Sequence, residues 1–177
     1  MNGVNVNPNT IFSANFKDPI SLLEELLPKV NQNDKTAAES KAKEIERIAK
    51  ALKVLNLEWN QIMKVGAENT NPSDVKTKYN INGGSTVAHY NEIDRIIKTE
   101  FNDTRGISAI ISDGITEVSN GGLQAINASV IAFCDSHQVD VDTLQNEFKN
   151  LMTRNSSGME EYKNLEQFKI NLCTPNR

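Results

Sequence analysis

The sequence predicts a mainly all-α chain. Its expected architecture is an antiparallel coiled-coil hairpin of two long terminal helices, with a variable insertion in the middle and room there for a small β-hairpin. Three observations carry this. Apolar residues recur with helical spacing over most of 119–172. A second apolar series, over 33–66, alternates steps of three and four, the signature of a heptad seam. The two stretches also differ in charge: seven bases against five acids over 34–65, and five bases against eight acids over 117–177. Opposite signs favour pairing, weakly and in a salt-dependent way.

The longer stretch follows a turn at Val118-Ser-Asn-Gly-Gly122. Its stripe reads Leu123, Ile126, Val130, Phe133, Val141, Leu144, Phe148, Leu151 and Met159, with His137 and Asn155 filling the gaps and Tyr162 following. The mean step is the 3.6 residues of a straight helix. No proline interrupts it before Pro175. A helix this long needs a second long helix beside it, or another chain. The second helix reads Ile45, Ile48, Leu52, Leu55, Trp59 and Ile62, with Asn33 or Asp34 as cap and Gly66 as stop. These fourteen apolar residues, Ile45 to Ile62 and Leu123 to Leu151, form the expected coiled-coil seam. Two amphipathic helices of an ordinary bundle are the plainer alternative.

Taken in order, residues 1–17 are rich in Asn and read as a disordered, export-type segment with no basic or strongly apolar run of a signal peptide. One helical domain is expected over 18–177, divided into the first long helix (33–66), the insertion (67–118) and the second long helix (119–172). Asp18-Pro19 opens a short apolar helix, which Pro28 ends or kinks. Residues 30–36 read as a polar linker. Leu22, Leu23, Leu26 and Leu27 of the short helix, with Val54, Leu57 and Val65 off the seam, are more apolar than a closed two-helix pair requires. They are candidate partner contacts. In the insertion, 85–101 has helical spacing. Residues 107–118 carry Asp113-Gly114 between β-branched residues and read as either a β-hairpin or a broken helix.

Composition excludes several classes. A net charge of −4 speaks against nucleic acid as a partner, and no stretch has the ~20 apolar residues of a membrane span. Hydrophobic content of 38% with 6% aromatic is low for a compact enzyme. The only histidines, His89 and His137, have no companions at metal-ligand spacing. The Gly-Gly pairs at 83–84 and 121–122 lack the lysine and third glycine of a phosphate loop. No catalytic, metal or cofactor site is expected. His137, lying on the seam, is expected to set register.

The segment Ile115-Thr-Glu-Val-Ser-Asn-Gly-Gly-Leu-Gln-Ala-Ile-Asn-Ala-Ser-Val130 resembles the entry into the C-terminal helix of the EspA/SseB family, the secreted filament proteins of bacterial type III secretion systems. Ser136-His-Gln138, Leu144-Gln145, Leu151-Met-Thr-Arg154 and Ser157-Gly-Met159 are similar to parts of the same helix. The resemblance spans about 55 residues, and needle-tip proteins of these systems share the architecture. It implies a secreted structural component, exported without a cleaved signal and working through self-association, with other apparatus proteins and a small secretion chaperone as partners. The polar end Cys173-Thr-Pro-Asn-Arg177 departs from the family. Rival expectations are a cytoplasmic α-helical chaperone or adaptor, and a secreted effector that binds a host protein.

Overall fold

A computed structural model describes residues 19–112 and 115–173. The segment 1–17, the Asp18 cap, the Asp113-Gly114 turn and the tail beyond Cys173 lie outside the described residues. Helix makes up 82% of the structure, in three α-helices beside a two-strand antiparallel sheet, so the chain is mainly all-α with a small β element. The order is α1 (Pro19–Asn69), β1 (Lys78–Asn80), α2 (Val87–Glu100), β2 (Glu117–Ser119) and α3 (Asn120–Cys173). The chain divides into two compact units. The central unit is Lys41–Glu147, and the terminal unit joins, among the described residues, 19–40 with 148–173.

α1 corrects three expectations. Pro28 neither ends nor breaks the helix, and the linker expected at 30–36 is helical. An interior proline costs about 3 kcal/mol through one lost hydrogen bond and a ring clash. A continuous helix, in return, keeps Leu27, Asn31 and Asp34 on one face, all at least half-buried. Gly66 is not the stop. The helix runs on to Asn69, where the Asn69 side chain donates to the Val65 carbonyl (2.7 Å) and the Thr70 hydroxyl to that of Gly66 (2.8 Å). Those side chains satisfy carbonyls left open at a helix end. Gly66 instead lets α3 approach: a Cβ there would lie 2.7 Å from a Leu123 methyl.

In the central unit α1, α2 and α3 enclose the core. Leu55, Trp59 and Ile62 of α1 meet Ile93, Ile96 and Ile97 of α2 and Leu123, Ile126 and Val130 of α3. Ile81, Ile107, Ile110, Ile111 and Val118 complete it. A smaller cluster joins Ile48 and Leu52 to Val141, flanked by Ile45 and Leu144.

The strands pair Lys78 with Ser119, Tyr79 with Val118 and Asn80 with Glu117. The sheet therefore joins the two ends of the insertion. Residues 106–109 form a 3-10 turn, and no strand spans 107–111. The reason is a capping arrangement just after α2. Asn102 takes the left-handed conformation (φ 56°), and the Asp103 N–H reaches back to the Ile97 carbonyl (3.2 Å). Gly106, at φ 60°, passes so close to Asp94 that a Cβ would overlap its carboxylate, which accepts the Ile107 N–H (2.9 Å). Burial pushes the Asp94 carboxyl up, but Lys98 and the Ile107 N–H outweigh it and the net direction is down. With Ile107, Ile110 and Ile111 turned into the core, this stretch has no free edge for a hairpin partner.

α3 starts at Asn120, so Gly121 and Gly122 lie in its first turn. The Ser119 hydroxyl accepts the Gly122 N–H (3.3 Å), an N-cap contact.

Candidate interaction surface

The fourteen seam residues fall into distinct settings. Ile48, Leu52, Leu55, Trp59, Ile62, Leu123, Ile126, Val130 and Val141 are buried, while Ile45, Phe133, Leu144, Phe148 and Leu151 are half-buried. Leu55 and Trp59 share a core cluster with Leu123, Ile126 and Val130 of α3. The Trp59 indole N–H donates to the Asn127 side-chain oxygen (2.9 Å), and Lys41 pairs with Glu147 (2.8 Å).

His137 stands on the seam face of α3 but is engaged by aromatic rings. Its ring centroid lies 4.4 Å from that of Phe101 and 4.5 Å from that of Phe133, and its Nδ1 is 3.0 Å from Asp140. Phe101 comes from the end of α2, a partner that no periodicity along α1 or α3 could have indicated. His89 pairs with Glu58 at 2.5 Å. Cys134 lies beside Asn56, and burial pushes its thiol up, away from reactivity. Among the described residues, no group of three His, Cys, Asp or Glu side chains could hold a metal ion. Nor is any described helix long and apolar enough to cross a membrane.

The partner-contact candidates also separate. Val54 is half-buried against the core, and Val65 is half-buried. Leu57 is 52% exposed. Leu22, Leu23 and Leu26 are all exposed, and Leu27 is half-buried.

The terminal unit differs in kind from the central one. Among its described residues only Asn31, Asp34 and Ala38 are buried. Many of its large apolar side chains face outward, among them Leu22, Leu23, Leu26 and Val30 on α1, and Met152, Met159 and Phe168 on α3, while Leu27, Phe148, Leu151, Tyr162 and Leu165 are half-buried. Leu22, Leu26 and Val30 recur every four residues, and Met152 and Met159 every seven, so each set forms a stripe along its own helix. Between the helices lies a groove of about 550 Å³ lined by Pro28, Asn31, Gln32, Lys35, Asn155, Met159 and Tyr162.

The inner face of this unit carries a polar layer. Asn155 donates to the Asn31 backbone carbonyl (2.7 Å), and Arg154 reaches Asp34 (3.1 Å). The Asn31 side-chain nitrogen is buried with no hydrogen-bond partner. An orphaned donor costs about 1–3 kcal/mol. Sequence reasoning placed Asn155 in the α3 stripe but missed Asn31 and Asp34, because along α1 it followed apolar side chains only. Counting back from Ile45 in the same threes and fours lands on Lys41, Ala38, Asp34, Asn31 and Leu27, and that count was the available signal. On the α3 part of this unit the half-buried positions include Phe148, Leu151, Asn155, Gly158, Tyr162 and Leu165, whereas Met159 is 46% exposed. The stripe thus passes through Gly158 rather than Met159, at the 3.5-residue period of a seam that stays against a neighbouring helix.

Neither a family model, nor a curated protein, nor a solved structure matches this chain.

Proposed function

We propose that the chain is a secreted structural component of a type III secretion apparatus, an extracellular filament or needle-tip protein that acts by helical assembly. The observation that carries this reading is the terminal unit. Its helices bury Asn31, Asp34 and Ala38 while leaving Leu22, Leu26, Val30, Met152 and Met159 in water. A helix pair with so little apolar burial gains little from its own packing, because helices this size draw their stability mainly from an apolar face pressed against a neighbour. Large exposed apolar faces of this type mark contacts with other chains. The resemblance of 115–130 to the EspA/SseB family supplies the identity of those chains: further copies of the protein in an assembly, and a small secretion chaperone covering the same stripes before export.

Function then resides in surfaces and not in a reaction. The central unit is the well-packed part, with fifteen buried apolar residues in one cluster. The terminal unit is the part completed by partners.

The test is localisation in the native host with and without a working secretion apparatus. Appearance in the culture supernatant only when the apparatus is present supports the reading. Retention in the cytoplasm in both strains, with a co-purifying partner, would replace it with the chaperone or adaptor reading. Export as a monomer that joins no assembly would replace it with the effector reading.

A further inference from the structure

We infer that the polar layer of Asn31, Asn155 and Gly158, with the Asp34–Arg154 pair beside it, is a register lock that permits only one alignment of α1 against α3 in the terminal unit. Three features of that layer converge. Gly158 leaves a space that the Asn31 amide fills: a Cβ at 158 would stand 2.1 Å from Asn31 Oδ1 and within 3.3 Å of its Nδ2. Asn155, one helical step away, donates to the Asn31 backbone carbonyl at 2.7 Å. Asp34, itself nine-tenths buried, meets the Arg154 guanidinium at 3.1 Å.

A repeating seam is prone to slip by whole heptads, since every slip restores a similar pattern. Here a slip is penalised at each position. Moving α3 by seven residues sets Asn31 against Leu151 or Leu165 in place of Gly158, so the amide meets a bulky apolar side chain. In either direction the same slip sets Asp34 against a glutamate, Glu161 or Glu147, instead of Arg154, a repulsive pair. The unpartnered Asn31 nitrogen fits this role. A polar seam residue that sacrifices stability for a unique alignment is the best-attested use of such groups. The lock concerns pairing within one chain and is independent of any export or assembly role.

The experiment uses the full chain with both cysteines replaced by serine and spin labels at the exposed positions Gln32 and Ser157. Pulsed dipolar spectroscopy should give one narrow distance. Asn31→Leu should add a second population at longer distance, produced by a slide of about 10 Å along the helix axis, one heptad of helix rise, and hydrogen exchange across 22–40 should slow as the orphaned donor is lost. A single unshifted distance in Asn31→Leu would overturn the lock. A second variant guards against loss of folding. Gly158→Ala should accelerate exchange over 22–40 at least tenfold in the native background and have no such effect in Asn31→Ala, where the clashing atom is gone. Equal acceleration in both backgrounds would also overturn it.

Discussion

Trp59 and Asn127 are hydrogen-bonded across 68 positions of sequence, indole nitrogen to amide oxygen at 2.9 Å, in the middle of the largest apolar cluster. The indole is 2% exposed and has one donor to place. Asn127 on α3 is the acceptor, so this pair fastens the α1 face to the α3 face of the central unit. Asn127→Ala leaves the donor buried and unpaired, and should cost about 1–3 kcal/mol. The chain has one tryptophan, so its emission during urea unfolding reads the change directly. An unchanged midpoint would show that the bond contributes nothing net.

Leu52 is 7% exposed and packs with Ile48 and Val141. Leu52→Ala should cost about 2–5 kcal/mol, the range for a buried leucine whose cavity collapses only in part. Chemical denaturation checks it. A cost below about 1 kcal/mol would mean that the smaller cluster is loose.

Gly66→Ala sets two effects in opposition. Alanine gains about 1 kcal/mol of helix propensity, but its Cβ would press on a Leu123 methyl at 2.7 Å. Leu123 is fully buried and has little room to move. Overpacking should win, with a net loss of about 1–3 kcal/mol. In a Leu123→Ala background the clash is absent and Gly66→Ala should become stabilising. The same sign in both backgrounds would place the role of Gly66 elsewhere.

The Arg105 side chain and its backbone N–H hold the Asp103 carboxyl down at about 2. Because the folded value lies below the unfolded one, about 3.9, the stabilisation is complete above roughly pH 4. It is lost as pH falls through the folded value. A carboxyl-resolved NMR titration should find the Asp103 midpoint near 2, and Arg105→Gln should move it up toward the ordinary range. A midpoint that stays put in that variant would rule out Arg105 as the cause.

Leu23→Asp and Leu57→Asp place a charge on exposed apolar positions, 46% and 52% accessible. Neither residue belongs to the buried core, so helix content by circular dichroism should hold within a few per cent. If these faces are covered by other copies, sedimentation equilibrium should show the native chain associating with concentration and the variants associating at least tenfold more weakly. A strictly monomeric native chain at high concentration, with no partner recovered from the native host, would remove the assembly reading.

Periodicity alone determined that this chain is mainly helical, that its two long helices occupy its two ends, and that a short helix falls within the insertion. These are local properties. A helix is written in the spacing of apolar residues along itself, and Ile48, Leu52, Leu55 and Trp59 repeat often enough for the seam to be read without knowing what lies opposite. The same logic failed wherever the deciding partner was far away in sequence. Pro28 looked like a break because its local cost is visible and the continuous face it preserves is not. Gly66 looked like a stop because only the tertiary structure brings Leu123 against it. The stretch 107–118 read as either a β-hairpin or a broken helix, because Asp94, thirteen residues before Ile107, which accepts from its backbone, and the strand at 78–80, which pairs with 117–119, are both far away in sequence. Most of all, Asn31 and Asp34, the partners of Asn155 and Arg154, were passed over because sequence patterning treats burial as a property of apolar side chains. Only packing revealed that a glycine on the facing helix makes room for an asparagine. Burial of a polar group is decided by what stands across from it, and that relationship exists only in three dimensions.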